Sequence, residues 1–172
     1  IRNKLKNTNK FLGYKIVDIG FNYRLSDMSS ALGISQLKRI DKFIKKRNII
    51  SKKYFNKLSC LKDYIYLPDK KKDVQNAWHL FVLRINFNKL KINRVKFFKL
   101  LSSKGVNTQI HYTPIYNQPL FKDLKSNIFK GTEKYFNTCL SIPIYPELSN
   151  IQIKHVVNSI KLFKCGFTII YF

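Results

Sequence analysis

The chain has 172 residues, 45% of them hydrophobic and 15% aromatic, which suits one globular domain with its own core and argues against intrinsic disorder. Its formal net charge of +24 comes from 33 basic residues against 9 acidic ones, a balance compatible with nucleic-acid binding. The basic residues are mostly lysines spread along the sequence, whereas nucleic-acid readers favour arginine and cluster their charge, so we expect solvated lysine-rich surfaces instead.

The first long element predicted is an amphipathic helix. It follows a loop or short extended segment over residues 11–21, and Ser26 or Asp27 can serve as its N-cap. Apolar residues then recur at helical spacing as far as Leu58, which predicts one continuous helix from Asp27 to Leu58. Gly33 inside it predicts either a close contact with another backbone or a bend.

Strands and helices alternate after this helix. The apolar, aromatic and branched segment 77–87 predicts a buried strand. Asn93 can cap a helix over residues 94–103, and Gly105 would end that helix in a left-handed conformation. Residues 106–112 predict a second strand.

The remaining elements are shorter. Residues 113–121 carry two prolines and predict an irregular segment, which a short helix over residues 132–140 follows. Residues 141–146 predict a brief extended segment, and Ser149 can cap a last helix over residues 151–163. This order predicts a small α/β or α+β layer led by a long helix.

Common catalytic constellations are missing from the sequence. It has no Gly-x-Ser-x-Gly elbow and no phosphate-cradling glycine loop. The three histidines and three cysteines show no metal or redox spacing, so we expect no metal site and reduced thiols, as in the cytoplasm. These residues are His79, His111, His155, Cys60, Cys139 and Cys165. No leader peptide is apparent, and no apolar run approaches the ~20 residues that a membrane span needs.

Two segments nevertheless carry an unusual density of polar and aromatic groups. Asn22 and Arg24 lie just before the predicted long helix, where an amide and a planar cation suit a phosphate or carboxylate. His111, Tyr112 and Tyr116 lie in a proline-bounded loop that could face a polar ligand. The alternative is structural: Asn22 and Arg24 would form a cap and a surface ion pair, and the aromatic residues would only pack the loop.

These segments resemble the DegT/StrS-type nucleotide-sugar aminotransferases. The resemblance is carried by GFNYRLSDMSSALGISQLKRIDKFIKKR, NAWHLFVLRI, GVNTQIHYTPIYNQPLF and LSIPIYPELSNIQIKHVVNSI, which follow in the family's order and spacing. It covers the chain from about Gly13 to Lys164. The HYTPIYNQP form is most similar to the branch of the family that makes UDP-4-amino-4,6-dideoxy-N-acetyl-altrosamine. This sugar nucleotide lies on the pseudaminic acid pathway, which belongs to polysaccharide biosynthesis.

The resemblance implies the C-terminal portion of a fold-type-I transferase that uses pyridoxal 5′-phosphate and takes its amino group from glutamate. The Schiff-base lysine of such enzymes would lie upstream, so we assign no catalytic residue to this chain. Asn22 is expected to bind the coenzyme phosphate of a neighbouring subunit in a homodimer. Arg24, His111, Tyr112 and Tyr116 are expected to bind the nucleotide-sugar substrate.

The resemblance also implies a division of the chain. Residues 1–25 would end the large domain, residues 26–164 would form the spine helix and a small α/β sandwich, and residues 165–172 would be a tail of unknown role. We expect a cytoplasmic enzyme that is inactive as this fragment alone. The alternatives are a basic nucleic-acid-binding domain and a non-catalytic remnant of a split gene.

Overall fold

The computed structural model describes residues 2–3, 15–121, 123–124 and 129–163. Ten elements of regular structure follow along these residues. They are β1 (Arg2–Asn3), β2 (Lys15–Ile16), α1 (Asp27–Leu37), α2 (Ile40–Leu58), β3 (Ile65–Tyr66), β4 (Phe81–Ile85), α3 (Arg94–Ser103), α4 (Lys130–Thr138), β5 (Cys139–Ile142) and α5 (Asn150–Lys161). Three short 3₁₀ turns lie at Ser59–Leu61, Ile115–Asn117 and Pro119–Phe121.

The chain divides into two compact units. The first comprises residues 1–40 and 110–137, and the second comprises residues 41–109 and 138–172. The predicted tail, residues 165–172, lies outside the described residues, as does the start of the segment 11–21. Within the described ranges, no helix combines the length and apolarity that crossing a bilayer requires.

The second unit is built on a small antiparallel sheet with the order β3-β4-β5. Phe81 pairs with Ile142 and Leu83 with Leu140, so the apolar face of β4 lies beside that of β5. Along β4, alternate side chains are buried while Arg84 is exposed, as the pleat of a half-buried strand requires. The four residues of β5 are all buried, which makes this strand the most enclosed of the sheet.

Helices α2, α3 and α5 supply most of the remaining core. Tyr54 and Leu58 of α2 are fully buried, and the Tyr54 hydroxyl donates a hydrogen bond of 2.8 Å to the Pro143 carbonyl. Burial, and secondarily the neighbouring Tyr145, raises the pKa of Tyr54 above its ordinary value. These contacts bind the second half of α2 to the segment that follows β5.

Local sequence signals set the ends of α3 and α5 as predicted. The Asn93 side chain accepts a hydrogen bond from the Lys96 amide, and Gly105 adopts φ +73° just after α3. Ser149 and Gln152 form a reciprocal capping box at the start of α5. The apolar positions predicted for the last helix, Ile153, Val156, Val157 and Ile160, are all buried.

The long helix is interrupted where the sequence predicted continuity. A turn at Lys38 and Arg39 separates α1 from α2, with the Arg39 amide bonding to the Gln36 carbonyl at 3.0 Å. Gly33 lies inside α1 and not at the break, and a Cβ there would meet nothing within 4 Å. The predicted close approach at Gly33 is therefore not observed among the described residues.

The second predicted strand, residues 106–112, was also wrong. Only Gln109 forms an isolated bridge, exchanging two backbone hydrogen bonds with Ser141. The chain leaves this edge after one pair, and the proline at position 114 follows closely. The short helix occupies Lys130–Thr138, slightly earlier than predicted, and the extended segment begins at Cys139.

Candidate functional site

The entrance to α1 carries the first predicted site. Ser26 is the N-cap of this helix, and its hydroxyl accepts a hydrogen bond of 3.3 Å from the Ser29 amide. Capping therefore does not involve Asn22. Both Asn22 and Arg24 are exposed.

Neither side chain is committed to a partner within the described part of the chain. Arg24 makes no ion pair there, and Asn22 makes no side-chain hydrogen bond there. The structural alternative, in which the two residues form a cap and a surface ion pair, is therefore not what the described residues show. An amide and a guanidinium remain available to a ligand or to another chain.

An exposed apolar strip accompanies these two residues. From position 17 to position 25, apolar residues occupy every odd position and polar residues or glycine every even one. Such alternation places Asn22 and Arg24 on one side wherever the chain is extended. The strip continues onto α1, in which no described residue is buried. Its members are Val17, Ile19, Phe21, Tyr23, Leu25, Met28, Leu32, Ile34 and Leu37.

The size of this apolar strip indicates an interface. Phe21 is 81% exposed and Met28 is 84% exposed, and Phe21 contacts the Tyr23 ring edge-to-face at 6.4 Å. Isolated exposed apolar residues are ordinary, but contiguous ones mark a surface that another domain or chain covers. The polar pair Asn22 and Arg24 is thus embedded in an interaction surface.

The second predicted segment lies in the same compact unit as the first. His111 is half-buried and Tyr112 is 60% exposed, and their rings meet edge-to-face at 4.8 Å between centroids. More than half of the surface of Tyr112 is thus accessible. His111 lies behind it and supports the ring.

Tyr116 differs from these two residues because it is buried and its hydroxyl is engaged. The hydroxyl donates a hydrogen bond of 2.7 Å to a Glu133 carboxylate oxygen, and the ring stacks on Phe129 at 5.2 Å. Burial together with the Glu133 carboxylate raises the pKa of Tyr116 to about 12. The phenol therefore stays protonated at neutral pH and fixes the 3₁₀ turn to α4.

Gln118, in the same proline-bounded loop, connects the two segments. Gln118 is 3% exposed, and its side-chain oxygen accepts a hydrogen bond of 2.9 Å from the Ile16 amide. This bond joins β2, which leads into the apolar strip, to the loop that carries Tyr116. No local sequence pattern predicts this hydrogen bond, because its partners are 102 positions apart in the sequence.

The amide of Asn22 and the guanidinium of Arg24 are hydrogen-bond donors, the kind of group that an anion requires. No three histidine, cysteine or acidic side chains converge anywhere in the part of the chain that the structure describes. The uncommitted Asn22 amide and Arg24 guanidinium are the donors that suit a phosphate. Tyr112 and His111 lie in the same compact unit as these two residues.

Comparison with known protein families gives a match over most of the chain. A profile of the DegT/DnrJ/EryC1/StrS aminotransferase family matches residues 2–161. The chain belongs to this family. The family expected from the sequence is thereby confirmed.

Individual relatives match the same region. The uncharacterised protein MJ1066 of Methanocaldococcus jannaschii is 34% identical over 151 residues, which are 86% of this chain and 39% of that protein. A UDP-4-amino-4,6-dideoxy-N-acetyl-β-L-altrosamine transaminase of Campylobacter jejuni is 30% identical over 147 residues, or 84% of this chain and 38% of that protein. This chain therefore spans about two fifths of the length of the curated relatives it matches.

A solved structure supports the same assignment. Helicobacter pylori PseC, an aminotransferase involved in the biosynthesis of pseudoaminic acid, superimposes with a TM-score of 0.71 at 25% identity. The superposition covers 92% of this chain and 43% of that one. The predicted α/β fold class is confirmed, because part of an aminotransferase fold superimposes on most of this chain.

Proposed function

We propose that this chain is the C-terminal part of a pyridoxal 5′-phosphate-dependent aminotransferase that transfers an amino group from glutamate to a keto-sugar nucleotide. Family membership and the name of the Campylobacter jejuni relative support this reaction class. The names of that relative and of Helicobacter pylori PseC favour a UDP-4-keto-6-deoxy-hexosamine as acceptor. The protein would act in the cytoplasm, where nucleotide sugars are made.

The observation that carries the proposal is the pair Asn22 and Arg24, which lies within an apolar strip and has no partner among the described residues. A catalytic group that served its own subunit would be positioned by neighbours in that subunit. These two side chains instead extend from a surface built to be covered. A homodimer that shares its active sites accounts for both features at once.

In this arrangement Asn22 donates its amide hydrogens to the coenzyme phosphate of the neighbouring subunit. Arg24 presents its guanidinium toward the substrate side, where it matches the diphosphate of a sugar nucleotide. Pyridoxal 5′-phosphate, when bound, supplies the electron sink that lets the amino group leave the donor and reach the acceptor. The residue that holds it covalently would lie outside this chain.

The loop from His111 to Tyr116 would line the sugar-nucleotide pocket. Tyr112 is the exposed member and would contact the ligand directly through its ring and hydroxyl. His111 would orient Tyr112 through the edge-to-face contact. Tyr116, which is buried and donates its hydroxyl to Glu133, would shape the wall of that pocket.

Hybrid dimers of the intact protein test the shared site directly. One subunit would carry Asn22→Ala and the other a substitution of the upstream coenzyme-binding lysine, each inactive by itself. If Asn22 serves the opposite subunit, each hybrid contains one site with both wild-type groups. Random pairing of equal amounts then restores about a quarter of the wild-type activity, because half of the dimers are hybrids with one intact site.

The result that overturns the shared site is equally clear. If Asn22 acts within its own subunit, every site in the hybrid lacks one essential group, and mixing restores no activity. The matched control mixes an Asn107→Ala subunit, in place of the Asn22→Ala subunit, with the lysine variant. Asn107 is exposed but lies in the other compact unit, and Asn107→Ala alone should remain active.

The coenzyme and the amino donor are tested by spectroscopy. The purified intact protein should show a visible absorbance band from the bound coenzyme, and glutamate should abolish that band. A protein that carries the upstream lysine and shows no such band would contradict the enzyme assignment. That outcome would favour the non-catalytic remnant instead.

A further inference from the structure

A cavity in the second compact unit shares no residue with the proposed active site. Its volume is ≈ 390 Å³, within the ordinary range for small-molecule sites. Helix α2 forms one side through Asn48 and Lys52, and the loop of residues 69–78 forms the other. Three lysines line it, Lys52, Lys70 and Lys71, against a single carboxylate, that of Asp69.

The three lysines are not neutralised by the protein itself. None of them forms an ion pair with any described carboxylate, even though Asp69 lines the same cavity. The Lys70 ammonium lies 3.7 Å from the centroid of the Phe55 ring, a cation–π contact that restricts its position. Three lysines without a described carboxylate partner line this cavity, and such an excess of positive charge favours a ligand with several negative charges.

A hydrogen-bonded frame fixes the cavity wall. The Trp78 amide donates to Asn76 Oδ1 at 2.8 Å, and the Trp78 indole N–H donates to Asn48 Oδ1 at 3.1 Å. Asn48 Nδ2 in turn donates to the Asn76 carbonyl at 3.0 Å. This closed ring of hydrogen bonds among three residues, through both side-chain and backbone groups, ties the lysine-bearing loop to α2.

The frame also holds a strained backbone. Trp78 adopts φ +46°, a left-handed conformation that bulky residues rarely occupy and that tends to occur at functional sites. Its ring packs against Phe55 and Phe81, with centroids 5.5 and 5.4 Å away. The same frame leaves the Gln75 amide uncommitted among the described residues, as an additional donor on the cavity wall.

We propose that this cavity binds a phosphate-bearing small anion through Lys52, Lys70 and Lys71. The Gln75 amide contributes a neutral donor, and the Asn48–Asn76–Trp78 frame holds the lysine-bearing loop in place. The bound group is a phosphate ester or diphosphate, because compact ammonium groups match a concentrated multivalent charge. Asp69 sets an upper limit on affinity, because its carboxylate opposes any anion in the cavity.

Calorimetric titration of the intact, coenzyme-loaded protein with inorganic pyrophosphate tests the proposal. The triple variant Lys52→Gln/Lys70→Gln/Lys71→Gln should bind at least about tenfold more weakly, because charge-assisted hydrogen bonds are lost. The matched control is Lys62→Gln/Lys89→Gln/Lys96→Gln, which removes the same charge from exposed positions of the same unit outside the cavity. The control should retain wild-type affinity.

Asp69→Asn provides a test in the opposite direction. Removing the one lining carboxylate should tighten pyrophosphate binding by about threefold, whereas Asp63→Asn, outside the cavity, should not. Equal weakening in the two lysine triples would overturn the site in favour of general electrostatic attraction. An Asp69→Asn variant that binds no more tightly than the wild type would also overturn it.

A parallel titration with uridine diphosphate distinguishes the source of the phosphate. Binding that responds to the cavity variants as pyrophosphate does supports a nucleotide or sugar nucleotide as the occupant. Uridine diphosphate binding that ignores the cavity variants, alongside pyrophosphate binding that follows them, supports a free phosphate or diphosphate. If neither ligand responds to the cavity variants, the proposal fails.

Discussion

Replacing Phe21 by serine tests whether a second subunit covers the apolar strip. Phe21 is 81% exposed, so nearly all of its apolar surface would be removed from water in a dimer. Full burial of such a side chain contributes about 1.5–3 kcal/mol. A symmetric dimer buries two copies, so Phe21→Ser should cost about 2–5 kcal/mol and raise the dimer dissociation constant by roughly 30-fold to a few thousand-fold.

The assay is sedimentation velocity of the intact protein over a dilution series. Ile151→Ser is the matched control, because Ile151 on α5 is also 81% exposed but lies in the other compact unit, outside the strip. We expect Ile151→Ser to leave the dimer dissociation constant unchanged. Equal effects from the two variants would show that the strip has no special role. A Phe21→Ser protein that melts earlier but stays dimeric would show that its own subunit covers Phe21.

Three further predictions concern the described fold. Tyr54→Phe should lower the free energy of unfolding by about 1–3 kcal/mol, because it leaves a backbone acceptor without its donor, as denaturant titration would measure. Folding raises the pKa of Tyr116 from its ordinary value of 10.0 to about 12, so the folded state favours the protonated phenol. The resulting stability is fully present below pH 10 and should be lost as the pH rises toward about 12. Gly105→Ala should destabilise by about 1–2 kcal/mol because φ is +73°, whereas Gly131→Ala in α4 should stabilise by roughly 0.5–1 kcal/mol.

Each of these predictions has a control within the chain. Tyr66→Phe should be neutral, since Tyr66 is 47% exposed, and an equal loss in both phenylalanine variants would contradict the role of the Tyr54 hydroxyl. Tyr116→Phe should flatten the alkaline loss of stability, and a slope unchanged by the substitution would place that loss elsewhere. For the glycines, effects of the same sign would contradict the backbone argument, because an added Cβ meets nothing within 4 Å at either position.

Sequence reasoning succeeded where local chemistry determines the structure. The caps at Asn93 and Ser149 and the left-handed Gly105 need only neighbouring residues, and all three occur as predicted. The buried strand predicted over residues 77–87 from its composition occurs as the shorter β4, and the apolar face of α5 followed from periodicity. Interactions between near neighbours in sequence are the ones that a single sequence encodes most directly.

Sequence reasoning failed where residues far apart in the sequence decide the structure. The helix break at Lys38 has no glycine or proline signal, and apolar periodicity runs through it with little interruption. Residues 106–112 have the composition of a strand, yet only Gln109 finds a partner, because strand formation depends on which edge is available. Gln118 is a third case, since its bond to the Ile16 amide joins parts of the chain that no short pattern connects.

The exposed start of the long helix unites these observations. Met28, Leu32 and Leu37 follow the same apolar spacing as the buried residues of α2, yet they are 84%, 61% and 65% exposed. Apolar residues at this spacing are buried in α2 but exposed in α1, which implies that another part of the assembly covers α1. Asn22 and Arg24 directly precede that helix, so any domain or subunit that covers α1 places its own groups next to them. Helix α1, whose apolar residues are exposed and not packed in a core, is thus also the element that would bring Asn22 and Arg24 to a neighbouring subunit.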